Sequence, residues 1–289
     1  MGDLEMEAAG HTFSVRVYPA AESNGAALVW AHGGGFLGGS LDMPEADEVA
    51  RRIAESGVSV VSVGYSLAPV DPLLELIERG GADRPLPSRE QIEAEIAAAG
   101  PRVHFPVASL QIVAAFDWAV EHADELGADD GRIGLGGASA GGNLTAGAAL
   151  RLRDRGDRQP SVLLQCYPVL HADLPAPNED LAGALGPRYM SAADSRVLSL
   201  NYVGDPAELA NPYAFPGGHD VRGLPTTLIV TAGRDHLRSS AEAFAAELAL
   251  AGVDVTLVQE RGFEHGFLNE VGHPAALRTI ARFAHAFRP

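Results

Sequence analysis

Ile133-Gly-Leu-Gly-Gly-Ala-Ser-Ala-Gly-Gly-Asn-Leu144 is the stretch that decides the fold. Its opening, Ile133-Gly-Leu135, reads as a short buried strand, and the small-residue run over 140–155 reads as a helix. Between them, Gly137-Ala-Ser-Ala-Gly141 sets a glycine on each side of Ser139. The flanking glycines allow a tight strand-to-helix turn that lifts the serine hydroxyl out of the sheet. The helix beginning there also presents unpaired N–H groups and the positive end of its dipole.

Working outward from this turn, apolar runs alternate with helical patterns along the chain. An alternating segment over 12–18 reads as an edge strand, and 26–31, 58–63, 133–135, 162–167, 227–231 and 253–258 read as buried strands. Helical patterns fall over 45–56, 108–126, 140–155, 239–251 and 274–287. This alternation predicts an α/β fold, a mostly parallel eight-stranded sheet with helices on both faces. Two stretches interrupt it. Over 71–103, Asp71-Pro72 opens one helical turn pattern and Ser88 with Gln91 a capping box for a second. So long an excursion reads as a lid or pocket wall, with a surface hairpin of helices or an oligomer contact as the alternative. Over 171–212 the chain is rich in Pro, Ala and Asp and carries one helix-like segment near 191–202. One domain over 1–289, with inserted segments at about 71–103 and 171–212, is the expected organisation.

Three further motifs follow strand ends. His32-Gly-Gly-Gly-Phe36 comes after the strand ending at Ala31, and its consecutive glycines let backbone N–H groups point at a developing oxyanion. With the Ala140 N–H they make a three-donor hole; losing one donor from such a hole costs ~10²–10³ in rate. The alternative, a phosphate-cradling loop, is opposed by the absence of Gly-x-Gly-x-x-Gly spacing into a helix and of any lysine. Asp235, in Gly233-Arg-Asp235, follows the strand over 227–231 and can fix a histidine tautomer. Asp254, Glu260 and Glu264 compete for that role; Asp254 opens a strand at the wrong end of the sheet, and Glu264 adjoins the histidine. His265, in Glu264-His-Gly-Phe267, follows the last strand and is the general base among ten histidines. His32 reads as shaping its loop, and His236 as a packing or surface residue. Serine, acid and histidine in this chain order are the parts of an α/β hydrolase that attacks esters through an acyl-enzyme.

Bulk composition narrows the partners. A net charge of −17 over 289 residues argues against nucleic acid or an anionic membrane. All positive charge is arginine, which excludes a Schiff-base lysine, a P-loop lysine and a Ser–Lys dyad. One cysteine, Cys166, permits no intrachain disulfide and fits a reducing compartment. The acidic N-terminus lacks a signal pattern, and no apolar run has membrane length, so a cytoplasmic protein is expected. No metal-ligand spacing occurs, and no cofactor is expected.

From Thr12 to the C-terminus, leaving aside 71–103, the chain resembles the bacterial hormone-sensitive lipase-like esterases of the α/β-hydrolase-3 group. The resemblance rests on His32-Gly-Gly-Gly-Phe, Tyr65-Ser-Leu-Ala-Pro69, His104-Phe-Pro-Val-Ala108, Gly137-Ala-Ser-Ala-Gly-Gly-Asn-Leu144, Leu224-Pro-Thr-Thr, Asp235-His-Leu-Arg and His265-Gly-Phe. It implies Ser139, Asp235 and His265 as triad and Gly34, Gly35 and Ala140 as oxyanion donors. It also implies hydrolysis of short- to medium-chain acyl esters without a cofactor, and leaves a homodimer open. Three departures stand out: Ala138 where the family often has Asp or Thr, His236 where it commonly has Pro, and only 31 residues ahead of the His32 loop. The family's helical N-terminal cap is therefore expected to be replaced by 71–103. The reading is a serine carboxylesterase, with an amidase, lactonase or other acyl hydrolase on the same triad, or a non-catalytic small-molecule binder, as alternatives.

Overall fold

The computed structural model describes residues 3–70, 90, 102–156, 158–185 and 191–288. The described residues contain eight strands in one sheet: β1 (Asp3–Ala8), β2 (His11–Tyr18), β3 (Gly25–Ala31), β4 (Val58–Gly64), β5 (Ala128–Ala138), β6 (Leu163–Cys166), β7 (Thr227–Arg234) and β8 (Val255–Glu264). Their order across the sheet is β1-β2-β4-β3-β5-β6-β7-β8. The β1–β2 and β2–β4 pairs are antiparallel and every other pair is parallel. The helices are α1 (Pro44–Glu55), α2 (Val107–Glu121), α3 (Ala140–Arg155), α4 (Glu179–Ala184), α5 (Ala192–Val203), α6 (Arg238–Leu250) and α7 (Pro274–His285).

Strand periodicity divides the core into two layers. On β3, Ala27, Val29 and Ala31 face the layer that contains Ile112 and Phe116 of α2, Leu144 of α3 and Phe244 of α6. Ala26, Leu28 and Trp30 face the layer containing Val49 and Ile53 of α1 and Ile280 and Phe283 of α7. Trp30 and Phe283 meet with ring centroids 5.7 Å apart, and Trp30 Nε1–H donates to the Glu45 carbonyl at 2.8 Å, so the buried indole carries no unsatisfied donor.

The expected α/β architecture is present, with differences that have local causes. β5 is 11 residues long rather than three, because it begins at Ala128, opposite Gly25, and runs through the exposed Asp129-Asp130-Gly131, where the register shifts before Ile133, a stretch with no apolar signal. The last strand, read from sequence as buried, is an edge strand whose residues are mostly exposed or half-buried. Its apolar run overstated burial because only one neighbour, β7, covers it. The helix expected near 191–202 is α5, capped by a Ser191–Asp194 capping box, while α4 had no clear sequence signal. The segment at 71–103, expected as a lid, lies almost wholly outside the described residues. None of the helices among the described residues is long and apolar enough to cross a membrane.

Truncating the fully buried Phe283 to Ala should cost about 3–5 kcal/mol. The Leu250→Ala change, at a side chain 90% exposed, should stay within about 0.5 kcal/mol. Urea unfolding of the two variants checks the pair.

Candidate active site

Helix α3 begins so close to the end of β3 that no side chain fits between them: a Cβ on Gly141 would overlap the Ala31 and His32 carbonyls. This contact sets Ser139 beside the loop that follows β3. Ser139 is the N-cap of α3 with φ +53° and ψ −117°, a backbone conformation that L-residues adopt only under constraint. Its N–H donates to the Cys166 carbonyl of β6 at 2.8 Å. The serine is thus pinned from both neighbouring strands.

The structure brings Ser139, His265 and Asp235 together from three strand ends. His265 Nε2 lies 3.0 Å from Ser139 Oγ, and His265 Nδ1 lies 2.7 Å from Asp235 Oδ2. Asp235 is fully buried, and its Oδ1 accepts the Leu237 N–H at 2.9 Å. A carboxylate held this way accepts a hydrogen bond from Nδ1–H, which keeps the proton on Nδ1 and leaves the Nε2 lone pair facing the serine. Burial alone would lower the His265 pKa; the Asp235 charge and hydrogen bond outweigh it, so the pKa sits above the ordinary imidazole value. The competing acids are elsewhere: Glu260 is buried under Arg278 and Arg282, and Glu264 is exposed beside Arg234.

Gly34, Gly35 and Ser139 line one cavity of about 360 Å³, together with His265. Gly34 has φ +118°, and its carbonyl accepts the N–H groups of Leu37 and Gly38, which folds the loop back over itself. Ala140, the first residue of α3, has no intrahelical acceptor for its N–H. His32 does shape the loop. Its Nδ1–H donates to the Gly33 carbonyl at 2.7 Å, its ring stacks on Tyr65 at 4.5 Å, and burial lowers its pKa to about 4, so it stays neutral. Phe36 stacks on Tyr202 of α5 at 4.0 Å and ties the loop to the 171–212 segment. Leu37, Met43, Val169, Leu198 and Leu237 give the cavity its apolar walls.

His236 is largely buried, with its ring centroid 6.1 Å from that of His265, and burial lowers its pKa. It packs against the triad rather than joining it. Sequence reasoning missed three residues beneath the site: Glu45, Tyr167 and Asn269. Glu45 Oε1 accepts the Gly33 N–H at 2.5 Å, and Oε2 accepts Asn269 Nδ2–H at 3.2 Å and the Tyr167 hydroxyl. The only local signal at Glu45 was an acidic residue after Pro44 in a helix's first turn, which ordinarily complements the dipole and no more.

A mostly parallel sheet in this strand order, with two antiparallel pairs at one edge and its polar side chains gathered at the carboxyl ends, defines an α/β hydrolase. The chain belongs to the α/β-hydrolase-3 family of hormone-sensitive lipase-like esterases: the family profile, described as alpha/beta hydrolase fold, matches residues 28–81 and 98–269. Carboxylesterase NlhH of Mycobacterium tuberculosis is 32% identical over 285 residues, covering 93% of this chain and 75% of that protein. An arylesterase of Saccharolobus solfataricus is 28% identical over 290 residues, covering 96% and 79%. Among solved structures, an esterase of Pyrobaculum calidifontis superposes with a TM-score of 0.79 at 30% identity, covering 99% of this chain and 84% of the other.

The Ser139 backbone yields a stability prediction. Glycine at this position relieves a constraint of about 1–3 kcal/mol, partly offset by its greater freedom in the unfolded chain. Ser139→Gly should therefore melt higher than Ser139→Ala, by about 1 kcal/mol in unfolding free energy; equal melting temperatures would show that the turn is unstrained.

Proposed function

We infer that this chain is a carboxylic ester hydrolase working through an acyl-enzyme on Ser139. The observation that carries the reading is the 3.0 Å contact from Ser139 Oγ to His265 Nε2, backed by the 2.7 Å contact from His265 Nδ1 to buried Asp235, at the wall of an apolar cavity. The esterase relatives support the same class of chemistry.

His265 Nε2 removes the Ser139 hydroxyl proton as Oγ bonds to the ester carbonyl carbon. The carbonyl oxygen becomes an oxyanion held by the N–H groups of Gly34, Gly35 and Ala140. Collapse of the tetrahedral species breaks the bond to the alcohol oxygen, which leaves with the proton from His265. Water then gives a proton to His265, attacks the acyl carbon and releases the acid, and Ser139 recovers its hydrogen. Asp235 stays ionised throughout and holds the imidazolium. The apolar walls favour short- to medium-chain acyl groups, with the 171–212 segment as the wall contributed by α5. The acidic balance of the chain supports an uncharged small-molecule substrate over nucleic acid, and the single cysteine supports a cytoplasmic setting.

A panel of p-nitrophenyl esters from acetate to laurate, on wild type and Ser139→Ala, tests the reading. Turnover favouring the shorter chains, and abolished in the variant, is the expected result; a folded wild type active only on amides or lactones would replace the ester assignment. Asp235→Asn should lower kcat on the order of 10⁴-fold. Since neutral His265 is the base, activity falls as pH drops through its raised pKa; removing the Asp235 charge should move that acid limb to lower pH. Leu198 lies over Gly35, where an added Cβ would meet its Cδ1 at 3.6 Å. Leu198→Ala should raise relative kcat/KM for octanoate over butyrate about tenfold, the scale of one methylene or more in an apolar pocket.

A further inference from the structure

Glu45 is a buried acid at the second position of α1, 2% exposed, and it is bonded to three segments around the site, through Gly33, Tyr167 and Asn269. Its Oε1 holds the Gly33 amide, one residue before Gly34 in the loop that supplies oxyanion donors. Its Oε2 holds Tyr167, the residue after the Cys166 carbonyl that receives the Ser139 N–H. The same oxygen receives Asn269 Nδ2–H, and the Glu45 N–H donates back to Asn269 Oδ1 at 3.3 Å, on the turn that follows His265. Tyr167 completes the link: its hydroxyl oxygen accepts the Leu268 N–H at 3.3 Å, and its ring lies 4.6 Å from the His265 ring. Ala138, beside the nucleophile, brings no polar side chain here, so the carboxyl group under the site comes from α1.

The bonding pattern favours the charged form. Gly33 N–H and Asn269 Nδ2–H can only donate, and the Tyr167 hydroxyl, which accepts the Leu268 N–H, has its own proton to give to Glu45. Three donors converging on one carboxyl group, at a helix N-terminus, favour the ionised form. Burial works the other way and holds the Glu45 pKa above the usual carboxylate range; the hydrogen bonds from Tyr167, Gly33 and Asn269 and nearby His265 offset it only in part. The groups around it carry no competing charge. Tyr65, Tyr167 and Cys166 are all held neutral by burial, which raises their pKa values well above the ordinary range. On its own helix, Asp47 and Glu48 are paired with Arg51 and Arg52. Around His265 the remaining groups are Asp235 and the neutral His236.

We propose that Glu45 is a positioning residue of this site, an ionised carboxylate that sets the oxyanion loop through the Gly33 amide and whose charge supports the imidazolium of His265 during turnover. The proposal rests on the serine-esterase reading above. Glu45 touches neither the nucleophile nor the oxyanion donors directly; it acts through Gly33, through Tyr167 and Asn269, and through its field at His265. Asp235 orients the imidazole from one side while Glu45 adds a second, non-bonded negative charge.

Glu45→Gln keeps the shape and one acceptor but removes the charge. It is assayed with p-nitrophenyl butyrate from pH 5 to 9 beside wild type and Ser139→Ala, with melting temperatures to show folding. The expected result is a folded variant with kcat lowered about tenfold or more, less than the ~10²–10³ of a donor removed outright, and KM within about twofold. Its acid limb should move to lower pH by about half a unit or more, since His265 loses a supporting charge. A folded variant with unchanged kcat overturns the proposal, as does a loss of activity with the acid limb unmoved, which would mean a structural role only. Should Glu45→Gln fail to fold, Tyr167→Phe decides. With one donor gone, Glu45 protonates more readily, His265 loses part of the supporting charge, and the acid limb should move to lower pH as in Glu45→Gln; an unmoved limb overturns the proposal. A wild type that hydrolyses no ester and takes up no fluorophosphonate at Ser139 would sink the serine-esterase reading and this proposal with it. An active, labelled wild type beside an unaffected Glu45→Gln would sink this proposal alone.

Discussion

The first turn of α3 rests on the end of β3 with room for nothing larger than hydrogen at Gly141, and the arrangement of the site follows from that contact. It sets Ser139 at φ +53° on the rim of the sheet and places the loop after His32 directly alongside. Parallel strands β5, β6, β7 and β8 then bring their carboxyl ends to the same edge, so that Asp235 and His265 arrive from the next strands over. A side chain at Gly141 would lift the helix away and separate the nucleophile from its backbone donors. The chemistry depends on this packing before it depends on any charge.

Electrostatics acts within that frame by keeping most groups neutral and a few charged. His32, Tyr65, Tyr167 and Cys166 are buried without ionisation, and their work is geometric. Negative charge is confined to Asp235, held by the Leu237 amide, and to Glu45, held by three donors. Both flank His265, the one group there that takes up and releases a proton in the proposed cycle. An apolar cavity over this arrangement makes each charge count for more than it would in water.

Legibility in the sequence was high for the fold and uneven for the site. The alternation of strands and helices foretold the architecture, and the family comparison agrees with it. Three of the four motifs after strand ends named residues, Ser139, Asp235 and His265, that the structure brings within hydrogen-bond reach, and the glycine loop lines the same cavity. Burial was less legible. The apolar run of β8 read as interior because hydropathy does not reveal whether a strand has one neighbour or two. The polar start of β5 was invisible for a different reason: at Asp129-Asp130-Gly131 the strand passes through a register shift with its side chains facing water, so no apolar alternation marks it.

The sequence by itself determined what local backbone and periodicity can encode: which segments are strands, where glycine permits a tight turn, and in what order serine, acid and histidine follow strand ends. Only the tertiary structure decided that Glu45, Tyr167 and Asn269, from three distant segments, meet beneath the loop that follows His32. None of the three has a spacing or motif of its own. A carboxylate's pKa and partners are set by what packs around it, and that packing exists only once the sheet and helices have closed.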